Sequence, residues 1–261
     1  MNDIIVKDLS FAYEGTDRLI LSNISMHVNE GDFVCLLGQS GCGKSTFLRL
    51  LAGLERATTG TLMMGGEEIK GADLDRSVVF QDYGLFPWMS AGDNIVLALR
   101  QRYPKRKKAE LREIAIDMLG QVGLGAEVYK KFPKELSGGM QQRCAIARSF
   151  AIDPPVLLMD EPFGALDAVT RARLQDMLLK LWEHEEQKKT VFFVTHDVEE
   201  ALLLASRIIV LGQSPSHIIF ERTIAHEDRP TRETLYTDPK VSELRDALIA
   251  HINQDVMSHI E

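Results

Sequence analysis

The sequence predicts an α/β protein, in which a mainly parallel sheet carries a phosphate-binding loop, an antiparallel β stretch comes first, and a helical insertion interrupts the sheet. Three observations predict it. Residues Gly38-Gln39-Ser40-Gly41-Cys42-Gly43-Lys44-Ser45-Thr46 lie between apolar runs at 33–37 and 47–54. This is the strand, glycine-rich turn and helix start that a phosphate loop requires. Further apolar runs at 156–159 and 190–195 read as buried parallel strands. Residues 82–151 switch to helical periodicity with few strand signals.

The bulk properties set limits on function. With 261 residues, 45% hydrophobic and 26% charged, the chain can bury a real core. A net charge of -8 argues against a nucleic-acid partner held mainly through its phosphates. No apolar stretch approaches the roughly 20 residues that a membrane-crossing helix needs. The opening Met-Asn-Asp-Ile-Ile-Val-Lys lacks a signal-peptide layout, so the chain is expected in the cytosol. Cys35, Cys42 and Cys144 show no metal-ligand spacing, and the seven histidines are scattered.

In chain order, residues 4–28 read as short antiparallel strands, broken by turn chemistry at 14–17. Tyr13 is either a flat face on which an adenine stacks or a half-buried strand tyrosine. In the loop, Gly38, Gly41 and Gly43 allow a tight turn that aims successive N–H groups at phosphate oxygens, and the following helix adds the positive end of its dipole. Gln39, Ser40, Cys42 and Thr46 complete this candidate cradle. Lys44 would place a point charge near the β- and γ-phosphates, and Ser45 would offer its hydroxyl to Mg²⁺. Segments 58–64 and 77–80 read as strands separated by a turn at Gly65-Gly66. Gln81 ends the second of them, where a carboxamide would ligate Mg²⁺ or orient water.

The helical segment opens with Tyr83-Gly84-Leu85-Phe86-Pro87-Trp88-Met89, whose aromatics are either core or a docking patch for a partner protein. The basic run at 105–108 reads as a solvated helix entry. Leu136-Ser137-Gly138-Gly139-Met140-Gln141-Gln142-Arg143 opens another helix. Ser137 is its candidate N-cap, and the paired glycines leave its first turn open to an anion. Asp153-Pro154-Pro155 ends that helix, and the strand at 156–159 leads into Asp160-Glu161-Pro162. At the carboxyl end of a parallel strand, Asp160 would hold Mg²⁺ through water and Glu161 would face the attacking water. An amphipathic helix at 168–182 follows, and the strand at 190–195 then ends at His196, a candidate γ-phosphate sensor. A short helix, strands at 207–211 and 218–222, and a helix near 241–252 complete the fold.

This ordered set resembles the ATP-binding subunit of ABC transporters over residues 4–211. The run Phe80-Gln81-Asp82-Tyr83-Gly84-Leu85-Phe86-Pro87-Trp88 further resembles the nitrate/sulfonate/taurine importer group. The resemblance implies a single ABC ATPase domain, with a P-loop NTPase core and antiparallel β subdomain at 1–81 and 152–212. It places a helical subdomain at 82–151 and a short extension at 213–261. It implies hydrolysis of ATP with Mg²⁺, with Glu161, His196 and Gln81 catalytic and Ser45, Gln81 and Asp160 at the metal. Tyr13 would stack on adenine. Ser137, Gly138 and Gly139 would serve the ATP of a second subunit in a head-to-tail homodimer, with Asp167 at the subunit contact.

The same resemblance implies transmembrane permease subunits received by the loop at Phe86, Pro87 and Trp88. A solute-binding protein would act indirectly, no nucleic acid would take part, and the chain would lie peripherally on the cytoplasmic face of the inner membrane. The imported solute would be a small anion such as a sulfonate, nitrate or taurine. A soluble ABC-type ATPase acting on DNA or ribosomes is disfavoured by the acidic charge and the single nucleotide domain. A non-enzymatic scaffold is disfavoured by the joint presence of Lys44, Asp160, Glu161 and His196. Alkylation or oxidation of Cys42 is expected to block the loop.

Overall fold

The structure, a computed structural model, describes residues 2–164, 166–183 and 188–258. The chain divides into two compact units, 1–72 with 188–261 and 73–187. The first unit begins with β1 (Ile4–Ala12), β2 (Leu19–Val28), β3 (Phe33–Leu37), α1 (Lys44–Leu51), β4 (Thr59–Met64) and β5 (Glu67–Glu68). The second contains β6 (Arg76–Val79), α2 (Ala91–Arg102), α3 (Lys108–Gln121), α4 (Gly138–Ala151), β7 (Val156–Asp160) and α5 (Ala168–Glu183). The chain then returns to the first unit with β8 (Thr190–Val194), α6 (Val198–Leu204), β9 (Arg207–Leu211), β10 (Ile218–Thr223) and α7 (Pro239–Ser258).

In the first unit, β2, β1, β4 and β5 form an antiparallel sheet in that order. Its strands alternate between buried and open positions, the period expected when one face packs and the other is wetted. Strand β3 behaves differently. All five of its residues are buried, and it pairs in parallel with β8 on one side and β9 on the other. A strand covered on both faces must be apolar throughout, which is why Phe33 to Leu37 shows no alternation. Gly53 is required by a close crossing, since a Cβ there would lie 2.2 Å from the Gly71 carbonyl oxygen.

In the second unit, β6 and β7 pair in parallel from Arg76↔Val156 to Val79↔Met159. Helices α2, α3 and α4 pack together around Ile95, Leu99, Leu111, Ala115, Leu119 and Ile146, all of them buried. All three helices lie within the segment whose periodicity changes at 82–151. Ser149 of α4 donates to the Val78 carbonyl, tying that helix to β6.

The α/β class and its phosphate-loop core are as the sequence predicts, while several boundaries shift. Strand β6 stops at Val79 because its pairing with β7 ends there and a turn begins, with the Tyr83 N–H on the Phe80 carbonyl. Gln81 therefore lies in that turn, exposed, and not at the strand end. Asp160 is the last residue of β7, and α7 extends beyond 241–252 in both directions. No helix among the described residues is long and apolar enough to cross a membrane.

Candidate nucleotide site and the family it defines

The candidate residues fall into two sets, one in each unit. In the first unit, β3 ends at Leu37 and the chain turns through 38–43 into α1. Gly41 and Gly43 have φ of 82° and 103°, left-handed values that glycine adopts without steric cost. Gly43 must also lack a side chain for reasons of space, since a Cβ there would lie 2.8 Å from Leu21 Cδ2. Gly38 is confined in the same way, with the Cys42 sulfur and the Leu211 carbonyl oxygen each 2.7 Å from where its Cβ would be.

Lys44 opens α1 with its side chain only 4% exposed. Its Nζ donates to the carbonyls of Gly38 and Gln39 at 2.8 and 2.9 Å, which holds the ammonium over the loop. Gln39, Ser40, Gly41 and Ser45 are exposed along the rim, whereas Cys42 and Thr46 are buried. The hydroxyl of Tyr13 lies 3.0 Å from Thr46 Oγ1, and its ring meets Phe11 edge-on at 4.9 Å. Tyr13 is thus tied to α1 with its ring 38% exposed.

His196 follows β8, and the Thr195 N–H donates to the Leu36 carbonyl at 3.1 Å. That bond brings the carboxyl end of β8 beside the carboxyl end of β3, so the exposed His196 leaves the sheet at the same edge as the loop. Thr195 and Glu200, both buried, are joined at 2.6 Å, and Asp197 caps α6 through the N–H groups of Glu199 and Glu200. The strand-to-helix turn carrying His196 is therefore rigid.

In the second unit, the parallel register of β6 and β7 brings Gln81, just past β6, and Asp160 and Glu161, the last residue of β7 and the one after it, to the same carboxyl ends. Asp160 and Glu161 are half-buried. Glu161 has a φ of 42°, and its carbonyl accepts the Gly164 N–H at 3.2 Å. Ser137 caps α4 by accepting the Met140 N–H at 3.3 Å. Gly138 faces the Tyr83 hydroxyl, and a Cβ on Gly139 would lie 2.8 Å from Thr170 Cγ2. A side chain at 139 would have to displace Thr170. Asp167 accepts the Thr170 N–H at 3.0 Å, and bonding to Thr170 lowers its carboxyl pKa. Its neighbour Ala165 lies outside the described residues.

Two residues that sequence reasoning passed over organise the loop after Gln81. Asn94 is fully buried and accepts the Phe86 N–H at 2.7 Å while donating to the carbonyls of Phe86, Met89 and Ser90. Arg148 donates to the carbonyls of Gly84 and Tyr83 at 2.5 and 3.3 Å, and burial lowers its pKa. Between these two anchors, Phe86 and Trp88 are held at the surface, with Trp88 72% exposed. An asparagine on the buried face of α2 was the available signal for the first anchor.

Ser45 in the first unit offers a hydroxyl, and Gln81 and Asp160 in the second an amide oxygen and a carboxylate, each a hard-oxygen donor of the kind Mg²⁺ takes. Among the described residues no three His, Cys, Asp or Glu side chains group as a metal cage. A Mg²⁺ ion shared with substrate phosphates and water needs no such cage.

A glycine-lined loop between a buried parallel strand and a helix start, with a buried lysine folded over it, defines a P-loop nucleotide-binding protein. The ABC transporter family model matches residues 21–164, and the chain belongs to that family as an ATP-binding subunit and ATPase. It is 45% identical over 226 residues to the nitrate import ATP-binding protein NrtD of Synechococcus elongatus, covering 86% of this chain and 81% of that protein. It is 44% identical over 227 residues to the bicarbonate transport ATP-binding protein CmpD of Synechocystis sp., covering 87% and 79%. Among solved structures it resembles an ATP-binding cassette in a dimeric post-hydrolysis state bound to ADP and Pi. That match has a TM-score of 0.74 and 31% identity, and covers 84% of this chain and 98% of that one.

Proposed function

We propose that this chain powers the import of a small anion through a partner membrane permease, as one half of a head-to-tail ATPase dimer. The observation that carries the reading is the pairing, in one chain, of two glycine-opened helix starts, α1 behind Gly43 and α4 behind Ser137. Each is an anion-seeking end. A nucleotide held between opposed subunits would use α1 of one and α4 of the other. The dimeric cassette of similar fold and the relatives named for nitrate import and bicarbonate transport support this assembly and cargo class.

In this reading Lys44 and the loop N–H groups hold the β- and γ-phosphates, Tyr13 stacks on adenine, and Ser137, Gly138 and Gly139 meet the partner's ATP. Mg²⁺, when held by Ser45, Gln81 and Asp160, offsets phosphate charge. Glu161 orients a water whose oxygen bonds to the γ-phosphorus as the bond to the β–γ bridging oxygen breaks, and Glu161 takes the proton. His196 senses the γ-phosphate, and Gln81 helps to orient the water. The products, ADP and phosphate, release the dimer. The exposed Phe86 and Trp88, fixed by Asn94, would receive the permease and keep the chain on the cytoplasmic face of the inner membrane.

The test is a pull-down of tagged Glu161→Gln chain from detergent-solubilised membranes with ATP and Mg²⁺. Recovery of a multi-spanning permease supports the importer reading. Recovery of ribosomal or DNA-repair proteins without a membrane protein overturns it.

A further inference from the structure

Helix α7, in the extension to which the resemblance assigns no role, is linked to the phosphate loop through the segment 212–216, wholly within the first unit. Asp255, near the end of α7, accepts the Gln213 N–H on Oδ2 at 2.8 Å. Its Oδ1 occupies space that a side chain at 212 would need, since a Cβ on Gly212 would lie 2.7 Å away. A carboxylate accepting a backbone N–H makes a charge-assisted bond, stronger and more directional than a neutral one.

The segment that Asp255 grips is internally braced. Ser216, fully buried, donates to the Gly212 carbonyl at 2.6 Å, and the Gly212 N–H reaches the His217 carbonyl at 2.9 Å. Both ends of the phosphate loop rest on this braced segment or on Leu211, the β9 residue that leads into it. At the entry, the Leu211 carbonyl lies against Gly38 closely enough to exclude a Cβ. At the exit, the Ser216 N–H donates to the Ile20 carbonyl and its own carbonyl accepts the Ser22 N–H, each at 2.8 Å. Ile20 and Leu21 in turn press on Gly43, with side-chain carbons 3.1 and 2.8 Å from where its Cβ would be.

We propose that Asp255 is a positioning residue for ATP, whose carboxylate fixes 212–216 and thereby the two ends of the phosphate loop. The proposal rests on the reading of that loop as the ATP cradle. A residue that merely docked α7 would change the stability of the fold and leave the affinity of folded molecules for nucleotide untouched.

The experiment measures binding of a fluorescent ATP analogue to the full chain with and without Mg²⁺, together with the alkylation rate of Cys42, whose sulfur touches Gly38. Asp255→Ala is expected to weaken binding about fivefold to tenfold and to speed Cys42 alkylation, with bound nucleotide restoring protection. Asp255→Asn, whose amide oxygen still accepts the Gln213 N–H, is expected to stay within about twofold of wild type. Gly212→Ala displaces the carboxylate from the other side and should reproduce the Asp255→Ala effect. It also carries the test if Asp255→Ala fails to fold.

Folded Asp255→Ala and Gly212→Ala chains that bind like wild type overturn the proposal, as does an Asp255→Asn chain as weak as Asp255→Ala. Wild-type chain that binds no better than a Lys44→Ala control would instead overturn the reading of the loop itself.

Discussion

Glu161 and Asp167 stand on either side of the turn from β7 into α5, and each is held by its backbone in a way that bears on its chemistry. Glu161 keeps a left-handed φ of 42°, which costs a non-glycine residue on the order of 1–2 kcal/mol. Such strain persists where the surroundings dictate it and the orientation of a side chain matters. Glu161→Gln preserves that geometry and removes the proposed base. ATP turnover is therefore expected to fall on the order of 100- to 10,000-fold while nucleotide affinity is retained, measured by phosphate release beside equilibrium binding. For Asp167 the prediction concerns pH. Its folded pKa is lowered, chiefly by Thr170, so its stabilising effect is full above the ordinary carboxylate range and is lost as pH falls through the depressed value. Urea unfolding should show Asp167→Ala less stable than wild type at neutral pH, with the gap closing in acid below that range. A gap that persists there would assign the effect to something other than the carboxylate.

At the scale of elements, the loop between β6 and α2 is anchored by the buried amide of Asn94 and the guanidinium of Arg148. Asn94→Ala removes the acceptor of the Phe86 N–H and the side-chain donor to three carbonyls, of which those of Phe86 and Ser90 keep a backbone N–H, and the expected cost is about 1–3 kcal/mol, read as a lower thermal midpoint. The same variant should weaken permease recovery in the pull-down, because Phe86 and Trp88 would no longer be held at the surface. The element also shows why some features were legible and others not. The phosphate loop, the Ser137 cap and the acids after β7 announce themselves within a few residues, since turn, cap and strand chemistry is local. Asn94 acts on backbone groups of a neighbouring loop, Tyr13 bonds Thr46 across 33 residues, and Asp255 grips Gln213 across 42. Such pairings leave no periodic trace. Gln81 was misplaced by two residues because apolar character continues through Phe80 after the ladder has ended.

Across the whole molecule, the thiols are sealed. Cys35 and Cys144 are fully buried and Cys42 is 2% exposed. Burial raises the pKa of all three, that of Cys144 to about 12. Only the thiolate reacts, so the native chain at pH 8 should be alkylated more slowly than a free cysteine, with full reactivity regained in denaturant. Burial thus keeps Cys42 slow to react, whatever its modification would do to the loop; rapid labelling of the native wild-type chain would contradict this. A wider consequence lies in where the strands stop. Within each unit the candidate binding and catalytic groups follow the carboxyl ends of strands, Lys44 beyond β3, His196 beyond β8, Gln81 beyond β6 and Glu161 beyond β7. Buried strand residues answer to packing, and the proposed site residues past them do not. Inheritance can therefore vary the two registers almost independently. A lineage can drift in its hydrophobic interior while its rate stays constant, or retune its rate without renegotiating how the chain folds.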